Sequence, residues 1–180
     1  MERVWRLVFA SRIQTVSGRH KLEWLNSKAN SFIYTNGMNT LIEQLQTAQQ
    51  EAMANRPKIG GFPYLAEKLR QAGVKRNTWS LPSCQSIYWM GNGQVVQQMP
   101  PLVNEPTLVP EYDEKALIAA IRADQEGKST FPEFLQATWQ SGVIWYQLDL
   151  EKRTVTYGGA DCQTYSESYP KAVIYPTEKD

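Results

Sequence analysis

The chain has 180 residues, of which 42% are apolar and 21% charged, which is typical of a globular protein and not of a disordered one. Its 19 basic and 18 acidic residues leave a net charge of +1, so no overall charge favours nucleic acid or an anionic membrane. One histidine, His20, and two cysteines exclude, within one chain, most zinc sites, Ser-His-Asp triads and Cys-His dyads.

The first 37 residues differ from the rest in charge. They hold six basic and two acidic residues, whereas the remainder holds 13 basic and 16 acidic ones. Asn36-Gly37 predicts a turn, and Thr40 with Glu43 then has the spacing of a capping box at the start of a helix. Two interpretations remain open: a start at Met38 behind an in-frame extension of residues 1–37, or a genuine N-terminal arm.

The N-terminus also bears on the compartment. Its apolar stretch, residues 4–10, is short and interrupted by Arg6, so it does not resemble a secretory signal. We therefore expect a cytoplasmic protein in which Cys84 and Cys162 are reduced thiols. A Cys-x-x-Cys pair is absent from the sequence, and no apolar run reaches the roughly 18 residues of a membrane helix.

An internal repeat follows at an offset of 69 residues. Residues 62–94 align without a gap on residues 131–163, with eight identities in 33 positions. The matches include a Phe-Pro pair at each predicted helix start and a Gly-Val pair at each predicted helix end. The preceding helices, which begin near Leu41 and Leu117, match at an offset of 76, so the first copy has a longer connector.

Each copy is therefore predicted to contain two helices and then three antiparallel strands. The strands are expected at residues 75–81, 84–90 and 94–98, and again at 143–150, 154–157 and 164–168. The prediction is an α+β fold, an internally duplicated helix-helix-antiparallel-strands unit with pseudo-twofold character. The single domain is expected to span residues 38–175, with copies 38–99 and 111–170, a Pro-rich linker at 100–110 and a tail at 176–180.

The second copy carries a family resemblance. The stretches concerned are Phe131-Pro132-Glu133-Phe134, Gly142 to Asp149 and Arg153 to Asp161, with Tyr165, Glu167, Tyr169 and Pro170 closing the motif. They resemble a bacterial and prophage family of unknown function whose members are loosely labelled phage envelope proteins. The resemblance covers about residues 38–175. It implies a prophage origin, and it brings no catalytic residue or cofactor.

Two sets of residues are candidates for binding. Arg56, Lys58, Gly60 and Gly61 precede a predicted helix N-terminus, where basic side chains and free backbone amides can hold an anion; the alternative is an ordinary exposed connector. The second set is aromatic and comprises Trp79, Trp89, Trp145, Tyr146 and Tyr157. Because neighbours in a strand point to opposite faces, about half of these rings are expected on a face without helices.

Three uses of that aromatic face remain open: core packing, a protein interface, or a surface on which bases or sugars stack. Catalysis by Asp149 and Asp161 is a weaker alternative, because Asp161 is expected to bond the backbone of its own turn and Asp149 to face Lys152 or Arg153 across a hairpin. Catalysis by either cysteine is also weaker, because no histidine lies near them in sequence. We therefore predict a non-enzymatic protein–protein interaction module, with a protein partner or a homodimer. No cofactor, metal or membrane is expected, and nucleic acid is not favoured. The alternative functions are a binder of a small ligand or single-stranded RNA, and an enzyme.

Overall fold

The computed structural model describes residues 28–57, 59–91, 93–103 and 108–174, with side chains described from residue 40 onward. These residues form four helices and six strands. The helices are α1 (Lys28–Asn55), α2 (Gly61–Gln71), α3 (Glu114–Gln125) and α4 (Phe131–Gln140). The strands are β1 (Val74–Ser80), β2 (Gln85–Met90), β3 (Gly93–Gln98), β4 (Val143–Asp149), β5 (Thr154–Gly159) and β6 (Thr164–Ser168).

The six strands form one antiparallel sheet in the order β3-β2-β1-β4-β5-β6. Buried residues alternate along the strands, as in β2, where Ser86, Tyr88 and Met90 are buried. The buried strand residues and apolar residues of all four helices, such as Leu45, Leu69, Leu117 and Phe134, form a single core cluster. The helices therefore cover one face of the sheet, and the predicted α+β class is confirmed.

The register of the two central strands is symmetric. Thr78 of β1 lies opposite Gln147 of β4, and these two positions are separated by the same 69 residues as the sequence repeat. At one end of the pair the Leu81 N–H donates to the Ile144 carbonyl oxygen, and at the other the Leu150 N–H donates to the Lys75 carbonyl oxygen, both at 3.0 Å. A twofold axis through the Thr78–Gln147 pair relates these contacts.

Irregular features recur at the same offset. The register shifts between Val74 and Arg76 in β1, and between Val143 and Trp145 in β4. The glycine before each of these strands, Gly73 or Gly142, has a left-handed φ of +88° or +82°, as the predicted Gly caps require. The two halves thus share element order and local geometry; descent from one duplicated unit stays a prediction.

The N-terminal prediction is partly wrong. Helix α1 begins at Lys28 and continues through Asn36 and Gly37, so no turn separates residue 38 from what precedes it. Thr40 and Glu43 therefore lie within the helix and do not cap its start. Relative to two alanines, an Asn-Gly pair destabilises a helix by about 1.5 kcal/mol, which helical neighbours on both sides can offset. Residues 1–27 lie outside the described residues, and the start at Met38 stays a prediction.

The Pro-rich segment between the halves lacks helix and strand in its described parts, residues 99–103 and 108–113. The N–H groups of Leu102 and Val103 both donate to the Pro82 carbonyl oxygen, at 3.1 and 3.2 Å, which fixes the start of the segment beside the β1–β2 turn. Residues 104–107 of the predicted linker, and the predicted tail 176–180, lie outside the described residues.

Candidate interaction surface

The predicted aromatic residues divide between the two faces of the sheet. Trp79, Tyr146 and Tyr157 are buried beneath the helices, each at most 8% exposed. The Trp79 and Tyr146 rings stack at 5.9 Å between centroids, and Tyr146 lies 5.8 Å from Tyr157. Burial raises the pKa of the Tyr146 phenol well above its ordinary value. These three rings belong to the core and contribute nothing to an exposed surface.

The side of the sheet opposite the helices is here called the open face. Its residues alternate with the buried ones along each strand. In strand order from β3 to β6 they are Gln94, Val96, Gln98; Gln85, Ile87, Trp89; Arg76, Thr78, Ser80; Trp145, Gln147, Asp149; Thr154, Thr156, Gly158; and Thr164, Ser166, Ser168.

Trp89 lies on the open face of β2 and is 37% exposed. The guanidinium carbon of Arg76 lies 4.6 Å from the centre of its ring, in cation–π geometry. One side of this indole is therefore already occupied by a residue of the same chain. That arrangement leaves less of the ring free to stack on a base or a sugar.

Trp145, half-buried, lies flat over Gly158 of the neighbouring strand. A Cβ atom added at Gly158 would lie only 2.1 Å from Cε2 of the indole, so only glycine admits this contact. Trp145 and Gly158 lie 69 residues after Arg76 and Trp89, respectively, so the two contacts occupy equivalent positions of the repeat. A flat group thus packs against the neighbouring strand at both related positions.

The open face carries one positive and one negative residue, Arg76 and Asp149, which lie opposite each other in the register of β1 and β4. Asp149 accepts hydrogen bonds from the N–H groups of Glu151 and Lys152, at 3.1 and 2.8 Å, and pairs with the Lys152 ammonium at 3.8 Å. Its carboxylate therefore holds the β4–β5 turn. The remaining polar groups of the face are amides and hydroxyls, so the face as a whole is neutral.

The amino-acid sequence carries a signal for this neutrality. Residues 77–104 contain no Asp, Glu, Lys or Arg. The run covers most of β1, all of β2 and β3, and the connections between them. The equivalent stretch in the second half, residues 146–173, contains Asp149, Lys152, Arg153 and Glu167 among other charged residues. The two halves are alike in fold and different in surface charge.

The connector predicted as an anion site has an acidic neighbour. Burial lowers the pKa of Arg56, and the Asp124 carboxylate acts in the opposite direction. Burial raises the pKa of Asp124, which Arg56 opposes. Gly60 precedes α2 in a left-handed conformation, Gly61 begins the helix against the Arg56 side chain, and Lys58 lies outside the described residues. An anion at this connector stays a prediction, weakened because Asp124 already interacts with Arg56.

The two cysteines differ in environment. Cys84 is buried, and its thiol donates to the Leu81 carbonyl oxygen at 3.5 Å. Burial raises the pKa of this thiol, which is the opposite of what a nucleophilic cysteine requires. Cys162 is exposed in the turn before β6 and has a φ of +64°.

Sequence reasoning missed a buried carboxylate. Glu67 of α2 has a side chain only 6% exposed, and its oxygens accept hydrogen bonds from Arg70 Nη2 and Nε at 2.7 and 3.0 Å. Arg153, in the β4–β5 turn, lies 3.9 Å away. The hydrogen bond from Arg70 lowers the pKa of Glu67. This cluster attaches α2 to the second half of the chain, and its signal in sequence is limited to the i,i+3 spacing of Glu67 and Arg70.

Sequence reasoning also missed two sets of polar side chains within the core. The amides of Gln49 and Gln97 exchange two hydrogen bonds of 2.9 Å, which join α1 to β3. Asn77 Nδ2 donates to the Ser86 hydroxyl at 2.7 Å and to the Ile87 carbonyl oxygen at 3.1 Å. These groups satisfy each other within the core, so they are structural.

Two broad depressions, both open to solvent, lie elsewhere on the described surface. One is at the start of α3, around Tyr112 and Asp113, and the other is between α1 and α2, around Glu51 and Lys68. In the described part of the chain, no cluster of three or more His, Cys, Asp or Glu has the geometry to hold a metal ion. Among the helices described, none has the length and apolar character needed to span a bilayer.

Comparison with known proteins gives a family match. The model of a family described as "Protein of unknown function (DUF1398)" matches residues 50–167. Similar proteins include the uncharacterized protein Mb2035 of Mycobacterium bovis and the uncharacterized protein Rv2012 of Mycobacterium tuberculosis. Each is 50% identical to this chain over 140 residues, which cover 78% of the chain and 84% of the relative.

Proposed function

Because the chain belongs to the DUF1398 family of proteins of unknown function, we propose that it is a non-enzymatic interaction module that binds a partner protein on the open face of its sheet. The observation that carries the proposal is the arrangement of the fold: the four described helices cover one face of a six-stranded sheet and leave the other uncovered. The prophage origin rests on the motif resemblance in residues 131–170; the names of the mycobacterial relatives carry no reference to a phage.

The composition of the open face supports a protein partner. Trp89, Trp145, Ile87 and Val96 supply aromatic and apolar contact area, and Tyr and Trp are enriched at protein interfaces. The surrounding Gln, Thr and Ser residues can both donate and accept hydrogen bonds. A polyanion is disfavoured because the single arginine of the face is offset by Asp149 and stacks on Trp89.

The environment of the candidate catalytic groups supports a non-enzymatic role. The Asp149 carboxylate is bonded to the backbone of its own turn. The Cys84 thiol is buried with a raised pKa. Asp161 lies in the turn before β6, where its N–H donates to the Gln163 side chain at 2.9 Å. These groups serve the turns in which they lie.

Affinity capture from a lysate of the organism that encodes the chain tests the proposal. The three baits are the wild type and two variants. Thr156→Lys places a charge on the open face, in β5, and Gln136→Lys places one on an exposed position of α4, on the helix side. We expect one set of proteins to be enriched by the wild type and by Gln136→Lys, and lost with Thr156→Lys. Identical capture by all three baits contradicts the proposal.

The RNA alternative is tested separately. The full chain is mixed with a single-stranded oligouridine at low salt, and its electrophoretic mobility is compared with that of Trp89→Ala. We expect no shift for either protein, because the open face has no excess positive charge. A shift that Trp89→Ala abolishes would replace the protein partner by RNA.

A further inference from the structure

We propose that two copies of this chain associate through their β3 strands, antiparallel and about a twofold axis at Val96. The proposal concerns the edge of the sheet, goes beyond the binding of a partner on the open face, and does not depend on it. Strand β3 is the edge strand of the first half.

The backbone of β3 has a free side. The Met99 N–H donates to the Cys84 carbonyl oxygen at 3.0 Å, which identifies this pair as a hydrogen-bonded one. Because such pairs alternate along antiparallel strands, Gly93, Val95 and Gln97 face β2 and the intervening residues face away from it. The N–H and C=O groups of Gln94, Val96 and Gln98 therefore point outward, and no other described residue forms a hydrogen bond with them.

The usual protection of an edge strand is missing at β3. Natural edges carry charges, prolines or bulges that prevent pairing with another chain. Strand β3 has neither charge nor proline, and it pairs with β2 in unbroken register from Gln98 to Gly93. The opposite edge differs: Glu167 of β6 forms an ion pair of 2.9 Å with Arg122.

The chemistry of β3 is complementary to itself. In an antiparallel pair centred on Val96, Gln94 lies opposite Gln98 of the second copy, and about six backbone hydrogen bonds form. A glutamine amide is both a donor and an acceptor, so two glutamines can bond reciprocally, as Gln49 and Gln97 do here. The two Val96 side chains, each beside Ile87 of its own sheet, complete an apolar strip across the join.

The occupant of this edge is therefore a second copy. Both facing strands are uncharged, so no like charges oppose each other. The pairing is isologous, which satisfies the outward groups of both copies at once and closes the assembly at two. The expected product is a continuous sheet of twelve strands, twice the six described in one copy.

Sedimentation equilibrium of the full chain at about 1–100 μM tests the proposal, over the range in which modest interfaces associate. We expect a mass of twice 20.6 kDa. Val96→Lys places two like charges opposite each other and is expected to weaken the dimer at least tenfold, about 1.4 kcal/mol. The control Ser166→Lys, at the matching outward position of β6, leaves the mass unchanged. A monomeric wild type, or a Val96→Lys dimer of unchanged affinity, overturns the proposal.

A cross-linking experiment keeps the test decisive if Val96→Lys does not fold. In a Cys162→Ser background, Val96→Cys places one thiol from each copy at the join. The two Cα atoms of residue 96 would lie about 5.5 Å apart, which is within reach of a disulfide. We expect a covalent dimer on mild oxidation. Ser166→Cys is the control and is expected to remain a monomer. Cross-linking of Ser166→Cys at an equal or greater rate overturns the proposal, whatever partner the open face binds.

Discussion

Glu67 carries a buried negative charge that joins α2 to the turn between β4 and β5. Its carboxylate accepts two hydrogen bonds from Arg70 and lies near Arg153. Since a buried carboxylate without partners would be costly, the charge and its partners depend on each other. The Glu67 carboxylate is ionised in the folded state, and its charge is lost when it takes up a proton.

We expect Glu67→Gln to lower the free energy of unfolding by about 1–3 kcal/mol at pH 7. The hydrogen bond from Arg70 lowers the pKa of Glu67 in the folded state, so its contribution is present above the unfolded pKa and lost as the pH falls. The difference in the free energy of unfolding between wild type and variant should therefore narrow below about pH 4.3, the ordinary pKa of a glutamate side chain. Urea unfolding from pH 7 to pH 3 measures it, with the exposed Glu43→Gln as control.

A glycine under an indole gives a second prediction at this scale. Gly158→Ala places a Cβ atom 2.1 Å from the Trp145 ring, which must then leave its position. We expect a loss of about 1–3 kcal/mol and a changed tryptophan fluorescence spectrum. Gly61→Ala is the control, because its Cβ would meet only the flexible Arg56 side chain at 3.5 Å. Equal stability of the two variants would contradict the packing described here.

Single residues also mark the limit of what the sequence predicts. The alternation of Trp145 with Tyr146, and of Tyr88 with Trp89, follows from strand periodicity alone and is observed. Periodicity does not predict the contacts of Arg76 with Trp89 and of Trp145 with Gly158. These contacts depend on strand register, because each joins residues distant in sequence. The same holds for the contact between Glu67 and Arg153.

The helices show how strongly local capping governs each element. Helix α3 begins after Asp113, whose Oδ1 accepts a hydrogen bond from the Ala116 N–H at 3.0 Å. Helix α4 begins after Thr130, whose N–H donates to Glu133 at 2.7 Å, as in a capping box, and whose hydroxyl also donates to Glu133 at 2.7 Å. Helix α2 begins after Gly60, which has no side chain to cap it. Both helices of the second half therefore begin with a side-chain cap, whereas α2 does not.

We expect Asp113→Ala to cost about 1 kcal/mol, because the Ala116 N–H loses its side-chain acceptor. Lys115→Ala, an exposed change within the same first turn, is the control and should have little effect. Thermal unfolding followed by circular dichroism gives the comparison. A control variant that is as unstable as Asp113→Ala would show that the cap contributes little.

At the scale of elements, the repeat predicts strands well and the first helix poorly. Strands β1 and β2, displaced by 69 residues, coincide with β4 and β5 in their bounds, because Gly-Val pairs and turns delimit both copies. The start of α1 was misplaced because Asn36-Gly37 has the composition of a turn. The helix-forming residues on both sides outweigh that local preference, and the composition of the pair alone does not show their effect.

The whole molecule is organised around the β1–β4 pair, at which the two halves meet. Leu81 and Leu150 are each 0% exposed and occupy related positions at the ends of this pair. Each donates its N–H to the other half of the chain. Neither half therefore completes its central strand alone, and the chain is expected to unfold as one unit.

Leu81→Ala and Leu150→Ala test this unity. Each removes a fully buried side chain and is expected to lower the free energy of unfolding by about 2–5 kcal/mol. Both variants should retain a single transition in urea, with coincident curves from circular dichroism and tryptophan fluorescence. Two separate transitions in either variant would mean that the halves unfold independently.

Charge is distributed unevenly between the two edges of the sheet. A sheet with two unprotected edges can pair with further copies at both ends, which is a hazard for aggregation. Here β6 carries Glu167, which pairs with Arg122 of α3, whereas β3 is uncharged. In the proposed dimer, an uncharged β6 would offer a second edge for pairing, so we expect Glu167 to oppose such growth in addition to its ion pair with Arg122.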